Sequence, residues 1–131
     1  MRLGYVILYV PDVAAAVEFY QRAFGLTRRF LHESGQYAEM ETGATALAFA
    51  GEAFVSATCH AFKPNRPEQE PAGAEVAFVA DDVAAAFQKA VEVGATGYIA
   101  PHQKAWDQTV AYVRDANGFL VELCGAIGDE L

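Results

Sequence analysis

Residues 76–87 read V-A-F-V-A-D-D-V-A-A-A-F, and residues 6–17 read V-I-L-Y-V-P-D-V-A-A-A-V. In both, a short apolar run meets the phrase D-V-A-A-A and continues as a helical pattern. The offset between the two aspartates is 82 − 12 = 70 residues, slightly more than half of the 131-residue chain. A tandem structural duplication is the first expectation, and the flanking residues test it.

Residues 3–10, L-G-Y-V-I-L-Y-V, are β-branched and aromatic enough for a largely buried strand. Pro11 ends it, because its ring has no N–H to give to a ladder. Asp12 has the chemistry of an N-cap, with a carboxylate to accept from the first free helix amides. Helical spacing then places Val13, Ala16, Val17 and Tyr20 on one face, with Glu18, Gln21 and Arg22 opposite. Gly25 closes the helix. Strands are expected at 28–33, 37–42 and 45–50, separated by Ser34-Gly35-Gln36 and Thr42-Gly43-Ala44, both of hairpin type.

The second half repeats this order. A strand at 74–80 leads to an Asp82-capped helix that runs to about Val93 and ends at Gly94. The two closing glycines differ by 94 − 25 = 69 residues, so the helices match in length to within one residue. Strands follow at 96–100, 108–115 and 118–125, the last turn being Asp115-Ala116-Asn117-Gly118. The fold expected is α+β: two β-α-β-β-β units, about 1–58 and 74–127, in one domain. The connection 59–73 carries Pro64, Asn65, Arg66, Pro67 and Pro71 and reads as a surface linker. The stretch 101–107, P-H-Q-K-A-W-D, reads as a loop within the second unit.

Composition narrows the classes of function. At 53% hydrophobic and 20% charged, the chain has an ordinary globular balance. No stretch reads as a membrane span and no leader pattern opens the chain, so a cytoplasmic protein with no membrane partner is expected. Nine Lys and Arg against 17 Asp and Glu give a net charge of −8, with no basic cluster beyond Arg28-Arg29. Phosphate backbones would be repelled, so no nucleic-acid partner is expected. Cys59 and Cys124 form neither a metal spacing nor a disulfide framework, and each reads as a small buried residue.

The paired units, with V-P-D-V-A-A-A-V-E-F-Y-Q-R-A-F-G-L in the first and R-D-A-N-G-F-L-V-E-L in the second, resemble the vicinal oxygen chelate superfamily. That group includes glyoxalase I, extradiol dioxygenases, thiol transferases that inactivate fosfomycin, and metal-free bleomycin-binding proteins. The resemblance covers nearly the whole chain. It implies that each unit rolls into a half-barrel, that the pair forms a cup around a cavity, and that the chain is a homodimer. In metal-using members the first and last strands of each unit supply one ligand apiece to a divalent ion that holds two vicinal oxygens.

The resemblance locates those four positions. The pattern D-x-x-G-x-x-x-E from Asp115 places one at Glu122, and Glu75, seven residues before Asp82, takes another. Tyr5 stands seven residues before Asp12, where His is expected, and the fourth position falls at Ala48 or its neighbour Leu47. Two carboxylates are present and two ligands are missing. The expectation is therefore a small-molecule-binding protein, aromatic compounds being among the candidate ligands, with no cofactor. The alternative is a lyase, isomerase or dioxygenase of glyoxalase type, using Ni, Fe, Zn or Mn at an atypical site of Glu75 and Glu122.

Residue chemistry adds pocket candidates. Glu122 lies among apolar neighbours in its strand, where an unpaired charge is costly, and is the candidate catalytic carboxylate. A pairing with Arg114 is its structural alternative. On the expected loop, His102 offers a proton or hydrogen bond and Trp106 a stacking surface over a ligand. Tyr5, Tyr37, Phe49 and Tyr112 are candidate pocket walls. His32 and His60 receive no role, and adjacent Cys59 and His60 would point to opposite sides of a strand.

Overall fold

The computed structural model describes residues 1–126, and two compact units divide it at Asn65/Arg66. In the first, β1 (Tyr5–Val10), α1 (Val13–Phe24), β2 (Thr27–Leu31), β3 (Tyr37–Glu41) and β4 (Ala46–Gly51) are followed by a short helix, α2 (Glu52–Thr58). In the second, the order is β5 (Glu75–Val79), α3 (Val83–Val93), β6 (Thr96–Gln103), β7 (Thr109–Arg114) and β8 (Leu120–Cys124). Each unit is a four-stranded mixed sheet, ordered β1-β4-β3-β2 and β5-β8-β7-β6, and neither closes into a barrel. The duplicated β-α-β-β-β order read from the repeated phrase is present.

The local chemistry is the same in both halves. Asp12 accepts from the Ala15 amide at 3.1 Å, and Asp82 accepts from the Ala85 amide at 3.0 Å. Each carboxylate satisfies a helix donor that has no intrahelical partner. Alternation along the strands then sorts the side chains. In the first unit, Ala38, Met40, Leu47 and Phe49 are buried together with Val13, Ala16, Val17, Tyr20 and Ala23 of α1. The Tyr20 and Phe49 rings lie 4.9 Å apart. Full burial of a side chain of that size contributes roughly 1.5–3 kcal/mol. In the second unit, Ala111, Val113, Val121 and Leu123 are buried, as are Val83 and Ala90 of α3.

Two expectations change, and one element was not read from the sequence. Residues 52–58 form α2, a seven-residue helix whose sequence E-A-F-V-S-A-T has too little periodicity to announce itself. Residues 101–103 are not loop: β6 continues to Gln103, and the register slips between Ile99 and His102. The edge position of β6 and this bulge accommodate Pro101, which can donate nothing to a ladder. Cys59 is exposed at the end of α2 rather than buried, whereas Cys124 is buried as read.

The β7–β8 turn is the tightest point of the second unit. Gly118 has φ +89°, and a Cβ there would lie 2.6 Å from the Arg66 carbonyl carbon. Arg114 fastens the same segment, its guanidinium donating to the carbonyls of Gly118, Arg66, Pro67 and Gln69. Gly118→Ala is expected to lose about 2–4 kcal/mol in urea unfolding, from backbone strain plus overlap. Gly25→Ala, with φ +69° but nothing within 4 Å, should lose only about 1–2 kcal/mol. Equal losses would show that the approach of segment 66–67 imposes no constraint.

Candidate functional site

The helix covers one face of each sheet and leaves the other open. On the open face of the second sheet, alternation along β5 places Glu75, Ala77 and Val79 together. Parallel pairing sets Ala77 beside Glu122 of β8, and antiparallel pairing sets Tyr112 of β7 on the other side of Glu122. Three chemically active side chains from three neighbouring strands therefore meet.

Their hydrogen bonds define the cluster. The Tyr112 hydroxyl donates to Glu122 Oε1 at 2.9 Å, and Glu75 and Glu122 influence each other's ionisation. Neighbouring carboxyl groups resist ionising together, and the resistance falls on Glu75. Desolvation and the neighbouring Glu122 push Glu75 up to about 7. Desolvation also pushes Glu122 upward, but bonds with Glu75, Tyr112 and Cys124 outweigh it and hold Glu122 below the usual carboxylate range. Tyr112 is raised to about 12, first by desolvation and then by its bond to Glu122. The cluster offers, side by side, a carboxylic acid, a carboxylate and a phenol that keeps its proton.

Arg114 does not neutralise Glu122, since its donors are taken by the carbonyls described above. The cation that does act on the pair is Lys104, whose charge favours ionisation of both Glu75 and Glu122. Lys104 sits in the turn joining β6 and β7, with Nζ 5.9 Å from the Trp106 ring centroid. Trp106 is 56% exposed, and its indole N–H donates to Gln108 Oε1 at 2.8 Å. Gln108 is buried and donates from Nε2 to the Gly125 carbonyl at 2.9 Å. His102 lies on β6 opposite Val110, exposed, with Nδ1–H donating to the Ala100 carbonyl at 3.0 Å. That bond leaves Nε2 as the free nitrogen of the neutral ring.

The first unit carries a different set on its open face. The Tyr37 hydroxyl donates to Glu39 Oε2 at 2.9 Å, and Arg29 forms two 2.8 Å bonds to the Glu41 carboxylate. Desolvation, then the Glu39 bond, raises Tyr37 to about 12, and the Arg29 bonds lower Glu41 to about 2. Tyr5 is 56% exposed near the start of β1. Phe49 departs from the expected pocket: it is fully buried against Tyr20 on the helix side, because an even–odd alternation puts it opposite Ala48 and Ala50. Tyr9, not singled out from sequence, donates to His60 Nε2 at 3.1 Å. His60 can accept there because its Nδ1–H is committed to the Ala61 carbonyl.

Strand register settles the alignment of the halves. Ile7 pairs with Ala48 as Ala77 pairs with Glu122, and 77 − 7 = 70, the repeat offset. Ala48, not Leu47, is therefore the counterpart of Glu122, and Tyr5 is the counterpart of Glu75. Among the described residues no group of three or more His, Cys, Asp or Glu side chains is arranged to hold a metal ion. Two carboxylates and a protonated phenol do not match a standard four-ligand centre. No helix among the described residues is long and apolar enough to cross a membrane.

The model of the Glyoxalase/Bleomycin resistance protein/Dioxygenase superfamily matches residues 2–123. No curated protein matches the sequence. Solved structures with the same fold include a glyoxalase-related enzyme from Fulvimarina pelagi, with a TM-score of 0.80 at 17% identity over 96% of this chain and 88% of that one. A glyoxalase/bleomycin resistance protein/dioxygenase family enzyme from Burkholderia phytofirmans PsJN gives 0.76 at 19% identity, over 95% and 98%. TioX from Micromonospora sp. ML1 gives 0.72 at 20% identity, over 95% and 98%.

The raised Glu75 carboxyl makes stability depend on pH. Between the ordinary value of 4.5 and about 7, the folded chain holds a proton on Glu75 that the unfolded chain releases. That contribution is complete below 4.5 and is lost as pH rises through about 7. Glu122, shifted downward, contributes in the opposite sense and only on further acidification. The thermal midpoint is expected to fall from about pH 5 to about pH 8 and to fall less in Glu75→Gln. Parallel profiles for the two proteins would mean that Glu75 titrates as an ordinary exposed carboxylate.

Proposed function

Because the chain belongs to the Glyoxalase/Bleomycin resistance protein/Dioxygenase superfamily, we propose that it binds a small molecule on the open face of its second sheet, without a standard metal centre. The observation that carries this reading is the Glu75–Glu122 carboxyl pair capped by Tyr112. Two carboxylates and a phenol make a poor ligand set for a transition-metal ion. The same arrangement offers a ligand carboxyl oxygens as acceptors, next to the apolar Ala77 and Val79. Few convergent polar groups on an apolar surface are what orient small ligands. Binding of this kind needs no catalytic group.

A second reading, turnover of glyoxalase type, is favoured by Glu75 alone. A carboxyl that titrates near 7 is matched to proton transfer at neutral pH. In that reading Glu122 would hold a divalent metal ion, with Glu75 ligating beside it or taking the proton. Dimerisation belongs to the same reading of the family: β1 is an edge strand on which Tyr5, Val6 and Ile7 are exposed. Edge strands of that kind favour association. Light scattering at twice the chain mass is the expected result, and a monomer would remove this part.

Metal retention separates the two functional readings. After exposure to nickel, iron(II), zinc or manganese and desalting, mass spectrometry is expected to find well below one ion per chain. A thermal-shift screen of aromatic and amine-bearing metabolites should then give stabilising compounds whose effect drops at least about tenfold in affinity in Glu122→Gln. Near-stoichiometric retention of one metal, lost in Glu122→Ala, would overturn the metal-free reading.

A further inference from the structure

The β6–β7 turn is built to hold one cation in one place. The Lys104 amide donates to the Gln108 carbonyl at 2.8 Å, the Asp107 amide donates to the Lys104 carbonyl at 3.0 Å, and Asp107 takes φ 62°. From this turn, Trp106 is tied through Gln108 to Gly125 at the end of β8, so a half-exposed indole has a fixed orientation. The Lys104 ammonium stands over the face of that indole, where the ring quadrupole attracts it. The charge it bears also acts on Glu75 and Glu122. An indole face and a carboxyl pair both attract an organic ammonium ion, and the chain's own Lys104 ammonium interacts with each of them.

We infer that Lys104 is a resident cation standing in for the ligand, and that the site takes small organic cations of the alkylammonium or quaternary ammonium class, which bind by displacing it. This rests on the binding face proposed above and names the chemical class that the face selects. Lys104 reaches the site on a flexible four-carbon stem from an exposed turn, so it can withdraw into water without disturbing a strand. Trp106 cannot swing with it, because Gln108 is buried and anchored at both ends of its amide. Gln108 is accordingly a positioning residue. It keeps the indole in place when the ammonium leaves, and the stacking surface is already ordered before any ligand arrives. A neutral molecule of the same shape would keep apolar contact with the indole but gain no charge attraction from either group.

Choline and its uncharged isostere 3,3-dimethylbutan-1-ol separate charge from shape. Trp106 is the only tryptophan in the chain, so its fluorescence reports the site directly. Titrations would use the full chain as wild type, Lys104→Met, Trp106→Ala and the double variant, with calorimetry for the proteins that lack the indole. Lys104→Met is expected to tighten choline about tenfold, the scale of one desolvated cation–π contact, and to leave the isostere within about twofold. Adding Trp106→Ala should remove most of that gain. Both Lys104 and Trp106 lie in the turn, so wild-type thermal midpoints are expected throughout. An unchanged choline affinity in Lys104→Met, an equal gain for the isostere, or no choline binding by any of the proteins would overturn the inference. Any of those results in a protein that retains no metal leaves the binding face itself standing. Stoichiometric metal retention would remove that face independently of choline.

Discussion

Parallel pairing of the first and last strands of each unit is the constraint on which the rest depends. A parallel pair cannot be closed by a tight turn, so the chain must cross over, and here a helix makes the crossing. The helix then covers one face, and its Asp-capped start is the repeated phrase in the sequence. Parallel register also decides which side chains are neighbours on the uncovered face. It puts residue 7 beside 48 and residue 77 beside 122. The two units therefore hold equivalent positions in equivalent geometry, whatever residues occupy them.

Occupancy of those positions separates the units chemically. At the first pair of positions the chain has Tyr5 and Ala48, and Ala48 brings no polar atom. At the second it has Glu75 and Glu122, where desolvation and the neighbouring Glu122 raise Glu75 to about 7. Tyr112 completes the second cluster through β7, while its register counterpart in β3 is Glu39, held by Tyr37 and near Arg29. The first unit thus directs its acidic groups to arginine and the second directs them to each other. Neutralisation by a guanidinium yields a fixed, ionised network. Neutralisation by a proton yields a site that can exchange that proton for something else.

Much of the fold was legible because local chemistry repeats: the capping aspartates, the closing glycines and the hairpin turns recur at nearly one spacing. Glu75 and Glu122 were legible as a pair through the family resemblance, which assigns ligand positions to the first and last strands of each unit. Other features were not. The helix α2 is too short to show a period, and Pro101 masked the continuation of β6 because a bulge on an edge strand tolerates it. Phe49 was misplaced because an aromatic residue in a strand says nothing about which face it takes, and a single step of alternation decides it. Arg114 looked like a partner for Glu122, yet its targets are four backbone carbonyls supplied by segment 66–69 and Gly118. Carbonyl oxygens belong to every residue and leave no trace in a sequence.

Lys104 and Gln108 illustrate the same gap at the site itself. Lysine in a polar turn and glutamine before a strand are unremarkable in composition. Their roles come from distances that only the folded hairpin sets: an ammonium 5.9 Å from an indole centroid, and an amide bonded at 2.8 Å and 2.9 Å to that indole and to β8. The acidity of the chain points in the same direction but does not select a location, because 17 acidic residues are spread over its length. Selection comes from a carboxyl pair in which Glu75 is hard to ionise and from a lysine whose charge acts on both members. A face balanced in this way stays compatible with folding while empty, and it favours whichever cation brings more contact with the indole than a lysine stem can.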